Sequence, residues 1–196
     1  MRIAILTFDG FNEIDSFVAS NILNRVKGWR AEICGSTATV ESMHGVTVKT
    51  QQLLEFANEA EAVLIGSGRQ TREIIDNAAM MSRLRLDPTR QLIGSQCSGA
   101  LVLGKLGLVT RQPICTDRYT RPFAEAAGLN VLEQAFFCEG SVASAGGCLS
   151  GYYLATWLIW RLAGKQAVED ALIYVVPVGQ EEHYLQLAID AVSPFM

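Results

Sequence analysis

Short apolar, β-branched runs alternate along this chain with segments whose apolar residues recur at helical spacing, and that order limits the folds open to it. Strands are predicted over residues 2–7, 31–34, 61–65 and 92–95; helical patterning covers 13–27, 71–84 and 97–106. Further strands are expected at 46–49, 114–116, 130–132, 135–138 and 142–144. Helices are expected at 122–127, 149–163, 166–174 and 181–192, with Pro177 as a breaker. Strand-then-helix order implies an α/β fold: a mostly parallel central sheet covered by helices on both faces. No repeat, low-complexity tract or linker interrupts the pattern, so residues 1–196 read as a single domain.

The chain is 49% apolar and 18% charged, which excludes a disordered polypeptide. Its 16 basic residues against 20 acidic ones give a net charge of −4, without the basic patch that nucleic-acid or polybasic membrane binding requires. Residues 140–160 carry no charge over a length comparable to a bilayer span, but the serines and glycines between Ser141 and Gly151 read as strand, turn and helix start. The five cysteines have no CxxC spacing, so neither a disulfide framework nor a zinc motif is expected. Together with an opening run too short for a signal peptide, this reads as a cytoplasmic protein with reduced thiols and no membrane partner.

In such sheets ligands bind at the carboxyl ends of the strands, so the junctions there carry the search for function. One stands out: Gly94-Ser95-Gln96-Cys97-Ser98-Gly99-Ala100. A strand turns directly into a helix with a nucleophilic side chain at the bend and small residues on both sides, the logic of a nucleophile elbow with sulfur in place of oxygen. The helix terminus is expected to favour the Cys97 thiolate, the bend to expose it, and the Ser98 N–H to serve as an anion donor. The other cysteines, Cys34, Cys115, Cys138 and Cys148, lie in apolar or β-like runs without such a bend and read as ordinary packed thiols.

Asp15 is a second candidate. On a helix whose apolar stripe is Ile14, Phe17, Val18, Ile22, Leu23 and Val26, it falls inside the stripe, beside Val18 and Ile22. A carboxyl group among core residues has its pKa raised by desolvation, as general acid–base work requires. The alternative is a helix-start acid favoured by the dipole, and the pattern leaves both open. Gly66-Ser67-Gly68 ends a strand at the same sheet edge and offers free backbone N–H groups.

These landmarks resemble the ThiJ/PfpI superfamily of class I glutamine amidotransferase-like proteins, and within it most of all the isonitrile hydratase branch. Gly94 to Gly104 followed by Leu106-Gly107-Leu108 is similar to the family's G-x-C-S/T-G-A-x-x-L-x-x-x-G-L elbow. Phe8-Asp9-Gly10-Phe11 with Asp15 resembles its opening F-x-G-F/V-x-x-x-D. Residues 61–68 resemble D-x-L-x-V/I-P-G-G, and Val142-Ala143-Ser144-Ala145-Gly146 resembles the turn before a long helix. Where many members have T-T-H-W, this chain has Cys115-Thr116-Asp117-Arg118, and its two histidines, His44 and His183, lie away from every matched motif. The missing imidazole argues against Cys–His protease, amidotransferase and hydrolase chemistry.

The resemblance implies a flavodoxin-like/Rossmann-like three-layer sandwich with a Cys nucleophile elbow, and a homodimer. It also implies a cysteine-dependent, cofactor-free hydratase or hydrolase-type enzyme on a small-molecule electrophile, converting an isonitrile to an N-substituted formamide. Cys97, Asp15 and Ser98 would be catalytic, with the Gly68 and Ser98 N–H groups as oxyanion donors; Gly66, Ser67, Gln96, Asp117 and Arg118 would border the pocket. The alternatives are a non-catalytic ligand- or redox-sensing domain and glyoxalase-like action on 2-oxoaldehydes.

Overall fold

The computed structural model describes residues 1–196. Nine strands form: β1 (Arg2–Leu6), β2 (Arg30–Gly35), β3 (Thr39–Glu41), β4 (Thr47–Lys49), β5 (Gln52–Leu53), β6 (Ala62–Ile65), β7 (Leu92–Gln96), β8 (Phe136–Glu139) and β9 (Val142–Ala145). Seven make one sheet in the order β5-β2-β1-β6-β7-β9-β8, parallel throughout except for the antiparallel β8–β9 edge. The helices are α1 (Glu13–Leu23), α2 (Thr71–Asp76), α3 (Ala78–Met81), α4 (Gly99–Lys105), α5 (Arg121–Ala126), α6 (Gly151–Ala163), α7 (Lys165–Leu172) and α8 (Glu181–Val192).

Side chains alternate across each strand, so the sheet feeds two apolar layers. Ile3 and Ile5 point into one, with Ile22, Leu154, Trp157 and Leu158 from α1 and α6. Ala4 and Leu6 point into the other, with Ile74 and the Leu101–Leu103 stretch of α2 and α4. This is the mostly parallel, flavodoxin-like three-layer arrangement expected. No helix is long and apolar enough to cross a membrane; the uncharged 140–160 stretch is β9, a short 3-10 turn and the start of α6.

Several local expectations need correction. The first helix stops at Leu23 instead of residue 27, because the Asn24 side chain bonds both the N–H (3.0 Å) and the carbonyl (2.9 Å) of Ala31 and folds the chain into β2. Ile14 and Phe17 do not join its buried stripe, which is Asp15, Ser16, Ala19, Ile22 and Leu23. Residues 71–84 form two short helices, since Asn77 adopts an extended ψ and its side chain caps α3 by accepting from the Met80 N–H at 3.0 Å. Residues 46–49 contribute β4, which pairs with β3 as a hairpin outside the main sheet. Residues 114–116 and 130–132 meet only in an isolated bridge between Ile114 and Val131.

The β3–β4 hairpin is laced to the loop after β1. The Glu41 N–H donates to Asp9 Oδ1 (2.9 Å), and the Met43 N–H donates to the Phe11 carbonyl (2.8 Å). That places the hairpin turn beside the carboxyl ends of β1 and β6.

Candidate active site

At the end of β7 the chain turns into a left-handed residue. Cys97 has φ +47°, the one non-glycine residue in the left-handed region, a conformation that costs an L-residue roughly 1–2 kcal/mol. Both of its peptide groups are held: its N–H donates to the Ala145 carbonyl on β9 (2.9 Å), and its carbonyl accepts from Thr116 Oγ1 (2.7 Å). The helix that follows begins at Gly99, two residues later than the sequence pattern suggested. Only glycine fits there, because a β-carbon would stand 2.5 Å from the Ile65 carbonyl oxygen.

The bend does not expose the sulfur. Cys97 is 2% exposed, although it forms part of the lining of a cavity of about 550 Å³. Beneath it lies Asp15, 3% exposed, carried inward by α1; of the two placements the sequence left open, the buried one is found. Cys148, from the 3-10 turn after β9, completes a cluster in which both sulfurs and a carboxylate oxygen of Asp15 lie within 4.8 Å of one another. Cys148 is thus half-buried at the cavity and not packed in the core like the other cysteines read as ordinary thiols: three segments distant in sequence converge on one point.

Ser67 Oγ donates a very short hydrogen bond to Asp15 Oδ2, while Asp15 Oδ1 is buried without a partner. Burial pushes the Asp15 carboxyl above its ordinary range, opposed in part by the Ser67 bond. The Cys97 thiol is also pushed up, first by desolvation and then by the charges of Asp15 and Cys148. The expected thiolate-favouring helix terminus is overruled: α4 has seven residues, and its field does not offset desolvation of the thiol and, after that, the adjacent Asp15. Burial therefore holds both Cys97 and Asp15 towards their protonated forms.

The sulfurs are themselves oriented. Asn12 Nδ2 donates to Cys148 Sγ at 3.3 Å. Gln96 Nε2 lies 3.6 Å from Cys97 Sγ and donates to the Gly147 carbonyl at 2.7 Å.

Across the cavity floor, the Gly68 N–H donates to Ser98 Oγ at 3.1 Å, so it is not the free donor the sequence suggested. Ser98 Oγ is also 2.8 Å from Thr71 Oγ1, which donates to the Gly68 carbonyl at 2.9 Å. The Ser98 N–H, by contrast, has no acceptor within the chain. Gly68 must be glycine, since a β-carbon would sit 2.6 Å from the Gly10 carbonyl oxygen.

Ser67, Asp117 and Arg118 line the cavity, whereas Gly66 and Gln96 sit behind it. Asp117, at the position of the family histidine, accepts the Tyr119 and Thr120 N–H groups on Oδ1 at 2.9 and 3.0 Å, and so caps the turn at the cavity mouth. Neither Asn12, Thr71 nor Cys148 was singled out from the sequence. Asn12 carried a helix-cap signal; Thr71 and Cys148 had none beyond their places after Gly68 and Gly147.

Comparison with known proteins follows the same lines. The model of the DJ-1/PfpI family matches residues 1–159. Among solved structures, Schizosaccharomyces pombe DJ-1 superposes with a TM-score of 0.77 at 16% identity, covering 90% of this chain and 100% of that one. A ThiJ/PfpI family protein from Pseudomonas syringae gives 0.80 at 16%, covering 98% of this chain and 87% of that one. An AraC family transcriptional regulator from Pseudomonas putida gives 0.72 at 16%, covering 89% and 99%. No curated protein matches the sequence. The elbow, the sheet order and the family match agree: this chain belongs to the DJ-1/PfpI family.

Proposed function

We propose that this chain, acting as one domain over residues 1–196, is a cysteine-dependent, cofactor-free hydratase of a small carbon–nitrogen electrophile, an isonitrile that it converts to an N-substituted formamide. The observation that carries this reading is the buried Asp15–Cys97 pair on a cavity whose histidine position is filled by Asp117. The pair can move a proton without an imidazole.

In this mechanism Asp15 takes the thiol proton as Cys97 Sγ adds to the terminal carbon of the isonitrile, and delivers it to that carbon. The product is a thioimidate, R–N=CH–S–Cys97. The Asp15 carboxylate then accepts a proton from water as the water oxygen attacks the thioimidate carbon, and the nitrogen is protonated. Collapse expels the Cys97 sulfur, which regains its proton, and releases R–NH–CHO. The sum is one isonitrile plus one water. The Ser98 N–H stabilises charge on the intermediate, and the Ser98 hydroxyl becomes a second donor by turning its proton from Thr71 to the intermediate while its oxygen keeps the Gly68 N–H. Asp117 and Arg118 shape the entrance.

The test is formamide production from a panel of aliphatic and aromatic isonitriles, followed by mass spectrometry. Turnover is expected in the native protein and its loss in C97A and D15N; full turnover by C97A overturns the mechanism. A sensing role is the second reading, suggested by the fold shared with a transcriptional regulator. Oxidation of Cys97 by peroxide, with no turnover on any isonitrile, selects it. A homodimer accords with the exposed Ile14 and Phe17 on α1, an apolar surface of the kind a second copy covers.

A further inference from the structure

We propose that Asp15, Cys97 and Cys148 form a binding site for one thiophilic divalent cation, with Zn²⁺ the ion the ligand set fits best. Two sulfurs and a carboxylate oxygen already lie within 4.8 Å of one another. Zn–S bonds of about 2.3 Å and Zn–O bonds of about 2.0–2.2 Å put neighbouring ligand atoms of a tetrahedron roughly 3.5–3.8 Å apart. Closing the cluster onto an ion therefore needs side-chain adjustments of about 1 Å, with no rearrangement of the backbone. Oxygen-seeking ions such as Mg²⁺ and Ca²⁺ are poorly served by two thiolates.

A separate observation points to the same place. Asp15 is 3% exposed, its Oδ1 atom has no nitrogen or oxygen donor, and beyond Ser67 on Oδ2 only the Cys97 and Cys148 thiols approach the carboxylate. A buried carboxylate oxygen without a donor is costly, and a cation beside it would supply the missing counter-charge. Each of the three ligands also carries an outer partner: Ser67 on Asp15 Oδ2, Asn12 on Cys148 Sγ at 3.3 Å and Gln96 near Cys97 Sγ at 3.6 Å. Such outer contacts orient ligands in metal sites. Cys97 and Cys148 both line the cavity, so a fourth, open coordination position faces it and would hold water.

Binding is balanced by proton loss. The ion displaces the protons of both thiols, which pass to solvent, and the two thiolates with the carboxylate leave the complex with one net negative charge. Arg69 and Arg118 border the same cavity. The inference does not rest on the proposed hydration. It does place the ion on the sulfur that hydration needs, so loaded protein would be reversibly silent.

The experiment titrates reduced, metal-free protein with Co²⁺, read by thiolate-to-metal charge-transfer absorption and tetrahedral d–d bands, and then with Zn²⁺ as competitor. One equivalent per chain is expected, with proton release measured in weak buffer. In C148S, affinity should fall by more than the roughly 10–100-fold that losing an outer-shell partner costs. D15N should keep sulfur bands with altered d–d intensity, and C34S should bind as the native protein does. If C148S does not fold, alkylation of native protein decides: Zn²⁺ should protect Cys97 and Cys148 from iodoacetamide without further slowing Cys34. Absence of stoichiometric binding, unchanged binding in C148S, or no selective protection each overturns the site. Isonitrile turnover is assayed separately on chelator-treated protein, so the two proposals fail independently.

Discussion

The α-carbon of Gly99 lies so near the Ile65 carbonyl that a β-carbon would stand 2.5 Å from its oxygen. The start of α4 thus rests directly on the end of β6, and this contact sets the height of the elbow. G99A must push one backbone away from the other, an overpacking worth about 1–3 kcal/mol. Thermal unfolding should show that loss, and turnover should fall with it, because the displaced residue is two positions from Cys97.

The left-handed backbone of Cys97 separates strain from chemistry. Both C97A and C97G remove the sulfur and should be inactive. Only glycine relieves the φ of +47°, so C97G should be the more stable of the two by about 1 kcal/mol in denaturant unfolding. Equal stabilities would mean that the bend has relaxed in the alanine variant.

Asp15 should divide function from stability in the opposite sense. D15N keeps the shape and the Ser67 bond but cannot carry a proton, so turnover should fall by roughly 10²–10⁴-fold. A neutral amide is less costly than a carboxylate in the same dry position, so the melting temperature should hold or rise. A large drop in stability would mean that Asp15 is a structural anchor.

Ser98 gives the Gly68 N–H its acceptor at 3.1 Å. S98A leaves that donor unpaired at a cost of about 1–3 kcal/mol, and the Gly68 amide should exchange hydrogen faster. S98T keeps the oxygen and should recover most of both.

Glu13 links the first turn of α1 to the hairpin turn over the cavity. Its carboxylate accepts from Ser42 Oγ at 2.5 Å and meets His44 Nδ1 at 3.0 Å. The Ser42 bond, with help from His44, lowers its pKa to about 2 from the usual 4.5. A folded-state pKa below the unfolded one adds stability above pH 4.5 and loses it as the pH falls towards 2. The native protein should exceed E13Q by a surface-scale increment, about 1 kcal/mol or less, at pH 6. The gap should shrink between pH 4.5 and 2, and the two should converge only below pH 2 in pH-dependent melting.

Much of this was legible in the residues themselves. Ile3 to Leu6 and Ala62 to Ile65 form buried parallel strands and read as continuous apolar runs, and Leu92 to Gln96 is a third, read from its place before the elbow. The helical phase of Asp15 put it within the apolar stripe but left a dipole-favoured helix-start acid equally open, and burial by neighbouring elements decided between them. What escaped depends on tertiary closure. Cys148 follows two glycines and shows no local pattern; it becomes important only because β9 runs beside β7 and delivers it to Cys97. The state of the Cys97 thiol escaped for the same reason, since the dominant influence on it is burial against groups from other segments. Asn24 and Asn77, whose side chains stop α1 and split the second helical run, act through single hydrogen bonds that periodicity cannot register.

The two bonds that pin Cys97, to Ala145 and from Thr116, lie on either side of an unfavourable backbone shape. The first continues the β7–β9 ladder into the sheet's apolar layer; the second comes from the loop at the cavity mouth and lies outside both layers. Loosening of that loop frees the Cys97 carbonyl while the rest of the molecule stays intact. Inactivation should precede melting, and the protein should wear out at its bend long before it comes apart.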